Sequence, residues 1–259
     1  MDINLNGKTA LVCGSTAGIG KAVAMELANL GANLILMARN EDKLISTVAQ
    51  LSASENQKHQ YQVADFSNIE SVKKAAENIK EPVNILVNNT GGPPGGPIVE
   101  AETEEFVRAF SMHLLCNHQL LTAVKSGMIS SGYGRIINII STSVKQPLNG
   151  LGVSNTVRGA VASWSKTMAN ELGAHGITVN NVLPGATATE RLSSIIENKA
   201  TKTGKSLEEV KKQMENAVPM KRVAEPHEVA AAVAFLASPA ASYINGINVP
   251  VDGGRTACL

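Results

Sequence analysis

The stretch Cys13–Gly20 contains glycines whose spacing could hold the phosphates of a nucleotide. It follows a short apolar run, Thr9–Val12, which predicts a buried strand, and it leads into a helical pattern of apolar residues. A strand, a glycine turn and a helix in this order place a pyrophosphate on the N-terminus of the helix. Gly14 permits the tight turn, Gly18 lets the backbone approach the phosphates, and Gly20 lets the helix lie close to the strand. The alternative is a turn of the same shape that binds no ligand.

The glycine turn needs a sheet to position it, and the rest of the chain predicts one. The segments that predict strands, most of them apolar, are Thr9–Val12, Asn33–Ala38, His59–Val63, Val83–Val87, Arg135–Ile140, Ile177–Leu183 and Asn245–Val251. Helical periodicity separates them, at Glu41–Leu51, Ile69–Ile79, Phe106–Val124, Val157–Leu172, Glu190–Asn216 and Pro226–Ala237. Because continuous apolar strands alternate with helices, we predict an α/β fold. It is a doubly wound, Rossmann-like parallel sheet with helices on both faces, formed as a single domain over residues 1–259.

The carboxyl ends of the predicted strands carry the residues suited to binding. Ligands of doubly wound sheets bind at that edge. The residues that the sequence places there are Gly14, Arg39, Asp65, Asn89, Ser141 and Pro184.

The composition argues against several classes of function. The formal net charge is +1 with no long run of one sign, which gives no electrostatic reason to bind nucleic acid or an anionic membrane. No apolar stretch reaches the length of a membrane span, and the first residues do not read as a signal peptide. The 3 cysteines are widely spaced, which favours a reducing compartment over a disulfide framework or a metal site. We therefore expect a cytoplasmic protein with no metal, nucleic-acid or membrane partner.

Short motifs occur in the order and spacing of a known family. They are Gly14-x-x-x-Gly18-x-Gly20, Asn88-Asn89-x-Gly91, Gly134-Arg135-Ile136-Ile137-Asn138, Ser141, Gly176-Ile177-Thr178-Val179-Asn180, Pro184-Gly185 and Asp252-Gly253-Gly254. On these motifs the chain resembles the short-chain dehydrogenase/reductase family over nearly its full length, and in particular its β-ketoacyl-ACP reductase-like members. The resemblance implies a nicotinamide cofactor, hydride transfer to or from a carbonyl carbon, and a homotetramer or dimer.

The residue that follows the second strand indicates which nicotinamide cofactor binds. An acidic residue there would bind the ribose 2′-hydroxyl and repel a 2′-phosphate, but this chain has Ala38 followed by Arg39. A guanidinium suits a phosphate, so we favour NADP(H) over NAD(H), with a solvated loop arginine as the alternative. The resemblance implies that Asp65 contacts the adenine amino group, although it could instead cap a helix. The predicted cofactor-binding residues are Gly14, Ser15, Thr16, Gly18, Ile19, Gly20, Arg39, Asn40, Asp65, Phe66, Asn89, Gly91, Arg158, Pro184, Gly185, Thr187 and Thr189.

The catalytic set departs from the family pattern of a serine, an asparagine and a Tyr-x-x-x-Lys pair. Ser141 matches the serine, whereas the tyrosine position falls on Ser154, the lysine position on Arg158 and the asparagine position on His113. The chain resembles a divergent, reductase-like subgroup that carries the same changes. Its shared segments are Asn88–Pro93, Val144–Pro147 and Ser154–Arg158.

The altered set lacks the tyrosine phenol that, in the family, donates a proton to the substrate or accepts one from it. A serine hydroxyl is a far poorer acid than a phenol, so Ser154 alone does not replace it. Arg158 stays charged, can bond ribose hydroxyls and can stabilise an oxyanion. His113 is the first candidate for the proton donor, because an ordinary histidine titrates at about pH 6.5, and Lys145 is the second. The alternatives are a core histidine and a solvated loop lysine.

Two functions remain open from the sequence. The first is an NADP(H)-dependent carbonyl or 3-oxoacyl reductase whose substrate is a small molecule or an acyl-carrier conjugate. The second is an inactive nucleotide-binding or sensor protein on the same fold. In either case, residues 190–218 correspond to the family's substrate lid.

Overall fold

The computed structural model describes residues 1–258 and contains a seven-stranded sheet. Neighbouring strands are parallel, in the order β3-β2-β1-β4-β5-β6-β7. The strands are β1 (Thr9–Cys13), β2 (Asn33–Ala38), β3 (His59–Val63), β4 (Ile85–Asn88), β5 (Gly134–Ile139), β6 (Ile177–Pro184) and β7 (Asn248–Val251). The order reverses between β1 and β4, which is where a doubly wound sheet opens a crevice at its carboxyl edge.

Helices cover both faces of the sheet. They are α1 (Gly18–Asn29), α2 (Glu41–Val48), α3 (Ile69–Glu77), α4 (Thr103–Phe110), α5 (Cys116–Ser131), α6 (Gly152–Leu172), α7 (Glu190–Thr203), α8 (Leu207–Asn216) and α9 (Pro226–Ala237). Helices α1, α2 and α9 pack on one face through a cluster that includes Val23 and Val233. Helices α3, α5 and α6 pack on the other face through Val72 and Leu120. None of the helices in the described chain combines the length and apolar character needed to cross a membrane.

The fold class predicted from the sequence is confirmed, but one predicted helix is wrong in detail. The long helix expected at Phe106–Val124 is interrupted by a five-residue π turn, Ser111–Leu115, which separates α4 from α5. The polar helical segment expected at Glu190–Asn216 consists of two helices, α7 and α8. Helix α7 ends at Gly204, whose φ of +67° terminates it, and Ser206 begins α8 with a capping box.

An asparagine ladder crosses the sheet from β4 to β7. Asn88, Asn138, Asn181 and Asn248 are register partners on neighbouring strands. Each Nδ2 donates to the Oδ1 of the next residue, at 2.8, 3.1 and 2.8 Å in that order. Ser165 of α6 joins the ladder by accepting a hydrogen bond from Asn138 at 2.9 Å. The ladder thereby connects four strands to the helix that carries Arg158.

Candidate nucleotide and reaction site

The glycine turn between β1 and α1 has no room for side chains. Gly14 has a φ of +57°, and a Cβ there would lie 2.6 Å from the carbonyl oxygen of Asn89. A Cβ on Gly20 would collide with the carbonyl oxygen of Gly14. Asn89 fixes the turn from the end of β4, because its Nδ2 donates to the carbonyl oxygens of Cys13 and Gly14 at 3.3 Å each. The turn is therefore shaped by its neighbours to let backbone approach a ligand.

The first turn of α1 offers its N–H groups to a ligand. Within residues 1–258, no side chain caps the helix at Ala17, and its first turn contains no acidic residue. These N–H groups have no intrahelical acceptor and lie at the positive end of the helix dipole. The hydroxyl of Ser15 is buried and lacks a hydrogen-bond partner in the described chain. Uncapped N–H groups beside an unpartnered hydroxyl fit the pyrophosphate of a dinucleotide.

The ends of β2 and β3 present Arg39 and Asp65, both exposed. Hydrogen bonds from Ser67, and then the positive charge of Arg39, hold the pKa of Asp65 below its ordinary value. Asn68 caps α3, so Asp65 is not needed for that purpose. Asn40 uses its side-chain oxygen to cap α2, accepting the N–H of Lys43 at 2.8 Å.

The segment after β6 reaches back to the glycine turn. A Cβ added to Gly18 would lie 3.0 Å from Cγ2 of Thr189, so the threonine methyl group takes up the space that a side chain would need. Thr189 also caps α7, and Thr187 donates to the carbonyl oxygen of Gly185 at 3.2 Å. The remaining residues predicted to bind the cofactor lie in the glycine turn, at the start of α1 or after strand ends: Thr16, Ile19, Phe66, Gly91 and Pro184.

Ser141 and Arg158 meet at the carboxyl end of β5. Ser141 follows the strand, and its Oγ accepts the N–H of Ser143 at 3.1 Å. Arg158 lies on α6 and donates from Nη1 to the carbonyl oxygen of Ile139 at 3.3 Å. Ser154 lies one helical turn earlier on the same face of α6 and is partly buried. The structure therefore brings the serine and the arginine of the altered set to one strand end.

Lys145 lies at the end of the short 3-10 turn that follows Ser141, and it is half-buried. The thiol of Cys258 donates to its carbonyl oxygen at 3.6 Å, so the C-terminal segment lies beside this turn.

His113 is buried in the π turn, and the expectation that it titrates near neutrality is wrong. Its Nδ1 and the Oγ1 of Thr90 are 2.5 Å apart. Burial, together with the positive charge of Arg158, lowers the pKa of His113 from 6.5 to about 2. The imidazole is therefore neutral throughout the physiological range, and its protonated form is not available as a general acid.

Arg158 is itself in an unusual electrostatic position. It is only 7% exposed, and burial together with the positive charge of Arg191 lowers its pKa to about 10. The guanidinium is still protonated at neutral pH. Arg191 belongs to the first turn of α7, and its Nη2 donates to the carbonyl oxygen of Pro93 at 2.7 Å. The residues of the described chain bring together no His, Cys, Asp and Glu cluster that could hold a metal ion.

The sequence did not single out Thr90 or Arg191. Thr90 lies within the Asn-Asn-Thr-Gly segment, so its place beside the site could have been found from the motif. Arg191 stands in a polar segment whose helical pattern gives no signal for which side chain faces the sheet.

Comparisons with known proteins cover nearly the whole chain. Residues 14–256 match the sequence model of the family described as enoyl-(acyl carrier protein) reductase. The NADPH-dependent reductase BacG of Bacillus subtilis is 31% identical, over 96% of this chain and 98% of that protein. The 3-oxoacyl-[acyl-carrier-protein] reductase FabG of Vibrio cholerae is 35% identical, over 97% and 98%.

The solved structures agree with the sequence matches. L-sorbose reductase of Gluconobacter frateurii, complexed with NADPH and L-sorbose, superimposes with a TM-score of 0.93 at 30% identity, and all of both chains is covered. A structure described as a short chain dehydrogenase/reductase family protein gives a TM-score of 0.85 at 31% identity, over 98% of this chain and 100% of that one. With its glycine turn, parallel sheet and strand-end serine, the chain belongs to the short-chain dehydrogenase/reductase family.

Proposed function

We propose that this protein is an NADPH-dependent reductase of a carbonyl compound, with an altered catalytic set that keeps Ser141 and has Ser154 and Arg158 in place of the usual tyrosine and lysine pair. The observation that carries the proposal is the glycine turn with its uncapped helix and unpartnered Ser15 hydroxyl, which fit a pyrophosphate. NADPH is the preferred form because Arg39 follows Ala38 at the end of β2 and no acid stands there. The relatives BacG and L-sorbose reductase, described with NADPH, support this choice.

The residues of this chain would bind the cofactor and orient the substrate. The pyrophosphate fits the N–H groups of α1, the 2′-phosphate fits Arg39, and the nicotinamide ribose fits Arg158 at the far end of the crevice. When bound, the cofactor supplies the hydride. Ser141 Oγ already accepts a backbone N–H, so its own O–H is free to donate to the carbonyl oxygen of the substrate. The charge of Arg158 would stabilise the oxyanion that develops there.

The proton for that oxyanion needs a source other than His113 or Arg158. His113 is neutral, and Arg158 keeps its proton at neutral pH. Ser154 is too weak an acid. We propose Lys145 as the proton donor, since it lies within one short turn of Ser141.

A binding protein without turnover is the second candidate. It is favoured by the combination found around Arg158: a neutral histidine, a second arginine and no phenol at the position of Ser154. Such a site can hold a nucleotide without being able to complete reduction.

A titration followed by a turnover screen separates the two. NADPH fluorescence is titrated with wild type and with Gly14→Ala, and carbonyl substrates of several classes are then screened for NADPH loss. Binding that Gly14→Ala abolishes, together with turnover that Arg158→Ala reduces, is the expected result. Binding with no turnover on any diketone, 3-oxoacyl thioester or sugar would favour the second candidate. An absence of NADPH binding would refute both.

A further inference from the structure

Arg158 leaves most of its hydrogen-bonding capacity unused. Its one acceptor within residues 1–258 is the carbonyl oxygen of Ile139, although a guanidinium offers several N–H donors in a planar fork. Arg135 provides an internal comparison, because it is also buried. It donates to the carbonyl oxygens of Ser238, Gly134 and Gly176 and stacks on the ring of Tyr133, 4.1 Å from its centroid. Arg135, which supports the fold, thus has three hydrogen-bond acceptors, whereas Arg158, which lies beside Ser141, has one.

Among the described residues, neither Arg158 nor Arg191 forms an ion pair with a carboxylate. Within residues 1–258, the ion pairs are Lys211 with Glu215 and Arg222 with Glu228, both remote in sequence from the two arginines. Arg191 has the carbonyl oxygen of Pro93 as its acceptor. Arg191 is exposed to solvent, whereas Arg158 is buried, and a buried cation without an anion beside it is costly.

A third polar group at the same place also lacks a partner. His113 is 1% exposed, and its Nε2 has no hydrogen-bond partner among the described residues. Thr90 holds the other ring nitrogen, so the orientation of the ring is fixed. The π turn that carries this ring packs against α6, the helix of Arg158, and the acceptor of Arg158 and the partner of His113 lie at the ends of the neighbouring strands β5 and β4.

We propose that the substrate carries a carboxylate, and that Arg158 and Arg191 bind it. The substrate class is thus an oxo acid rather than a neutral ketone. A carboxylate has two oxygens in the geometry of a guanidinium fork, so it can pair with the charges of Arg158 and Arg191 and accept the Arg158 donors that the ribose leaves free. Arg191 comes from α7 and is tied to the Pro93 loop, so acid binding would also hold the start of this helix against the sheet. This inference rests on the proposed function, because it names the substrate of the same site.

The test uses hydroxy acids in the presence of NADPH, where they cannot react. Lactate, 3-hydroxybutyrate and 3-phenyllactate are each compared with their methyl esters by calorimetry on the NADPH complex. We expect at least one acid to bind about 10- to 100-fold more tightly than its ester, the range that charge-assisted hydrogen bonds give. Arg191→Gln should remove that difference and leave NADPH affinity unchanged. Lys74→Gln, which removes an exposed charge on α3, is the matched control and should behave as wild type.

Several results would overturn the inference. Equal binding of acid and ester in every pair, or binding of no acid, would show that the arginines do not hold a carboxylate. A loss of NADPH affinity of about tenfold or more in Arg191→Gln would show that they hold a cofactor phosphate instead. Turnover of neutral carbonyls without preference for acids refutes the inference and leaves the proposed function intact. Acid binding without NADPH consumption on the matching oxo acids supports the inference and refutes the reductase.

Discussion

Replacing His113 by asparagine, the residue that the family has at this position, should remove a pH dependence from the stability of the fold. The unfolded chain binds a proton on this histidine at about pH 6.5, whereas the folded chain does so only at about pH 2. Between those values the unfolded state binds more protons, so stability is complete above the unfolded pKa and falls as the pH is lowered. The loss should be about 1.4 kcal/mol per pH unit below about pH 6, and about 2 kcal/mol at about pH 5.

The measurement is urea unfolding followed by circular dichroism, from about pH 5 to pH 8, at one protomer concentration. His113→Asn should give a shallower slope of unfolding free energy against pH than wild type, and the difference between the two isolates this histidine from the other titrating groups. His175→Asn is the control, because this histidine is exposed and its replacement should leave the slope unchanged. Equal slopes of unfolding free energy against pH for wild type and His113→Asn would show that the ring has the same pKa in the folded and unfolded chains. The assignment of a neutral, buried histidine would then be wrong.

Further predictions concern the cofactor, the buried arginine and assembly. Arg39→Ala should weaken NADPH binding by about 10- to 100-fold and leave NADH binding unchanged, and equal affinity of wild type for both cofactors would contradict the reasoning. Arg158→Met should raise the free energy of unfolding by about 1–3 kcal/mol, because it removes a buried charge at similar volume, while NADPH binding and turnover fall; a less stable variant in thermal unfolding would argue against this. Val107 and Phe110 on α4 are 63% and 40% exposed, so light scattering should detect a particle larger than a monomer, and a stable dilute monomer would refute this.

Much of the fold could be predicted because its signals are local. The strand bounds at Asn33–Ala38 and the helix Pro226–Ala237 follow directly from an apolar run and from helical periodicity. The glycine turn could be predicted because positions without room for a Cβ require glycine, and the spacing of the glycines is visible in the sequence. The π turn could not be predicted, since the pattern of apolar residues continues through it without a break.

The chemistry of the site around Ser141 and Arg158 was harder to predict than the fold. Residue type suggested that His113 would titrate near neutrality, but burial and the neighbouring charge of Arg158 decide its pKa, and neither is visible in the sequence. Arg191 was missed for a related reason. It reaches the site from α7 through a contact with Pro93, far away along the chain.

The asparagine ladder has a consequence for how the sheet finds its alignment. Strands β4 and β5 are buried along their whole length, so a slip of one residue would exchange apolar side chains for other apolar side chains and meet little resistance from burial. Carboxamides respond differently, because a slipped strand would turn Asn138 away from Asn88 and Asn181 and bury its amide without acceptors. Each buried group left unpaired costs about 1–3 kcal/mol. The ladder thus favours one register of these strands over the registers shifted by one residue.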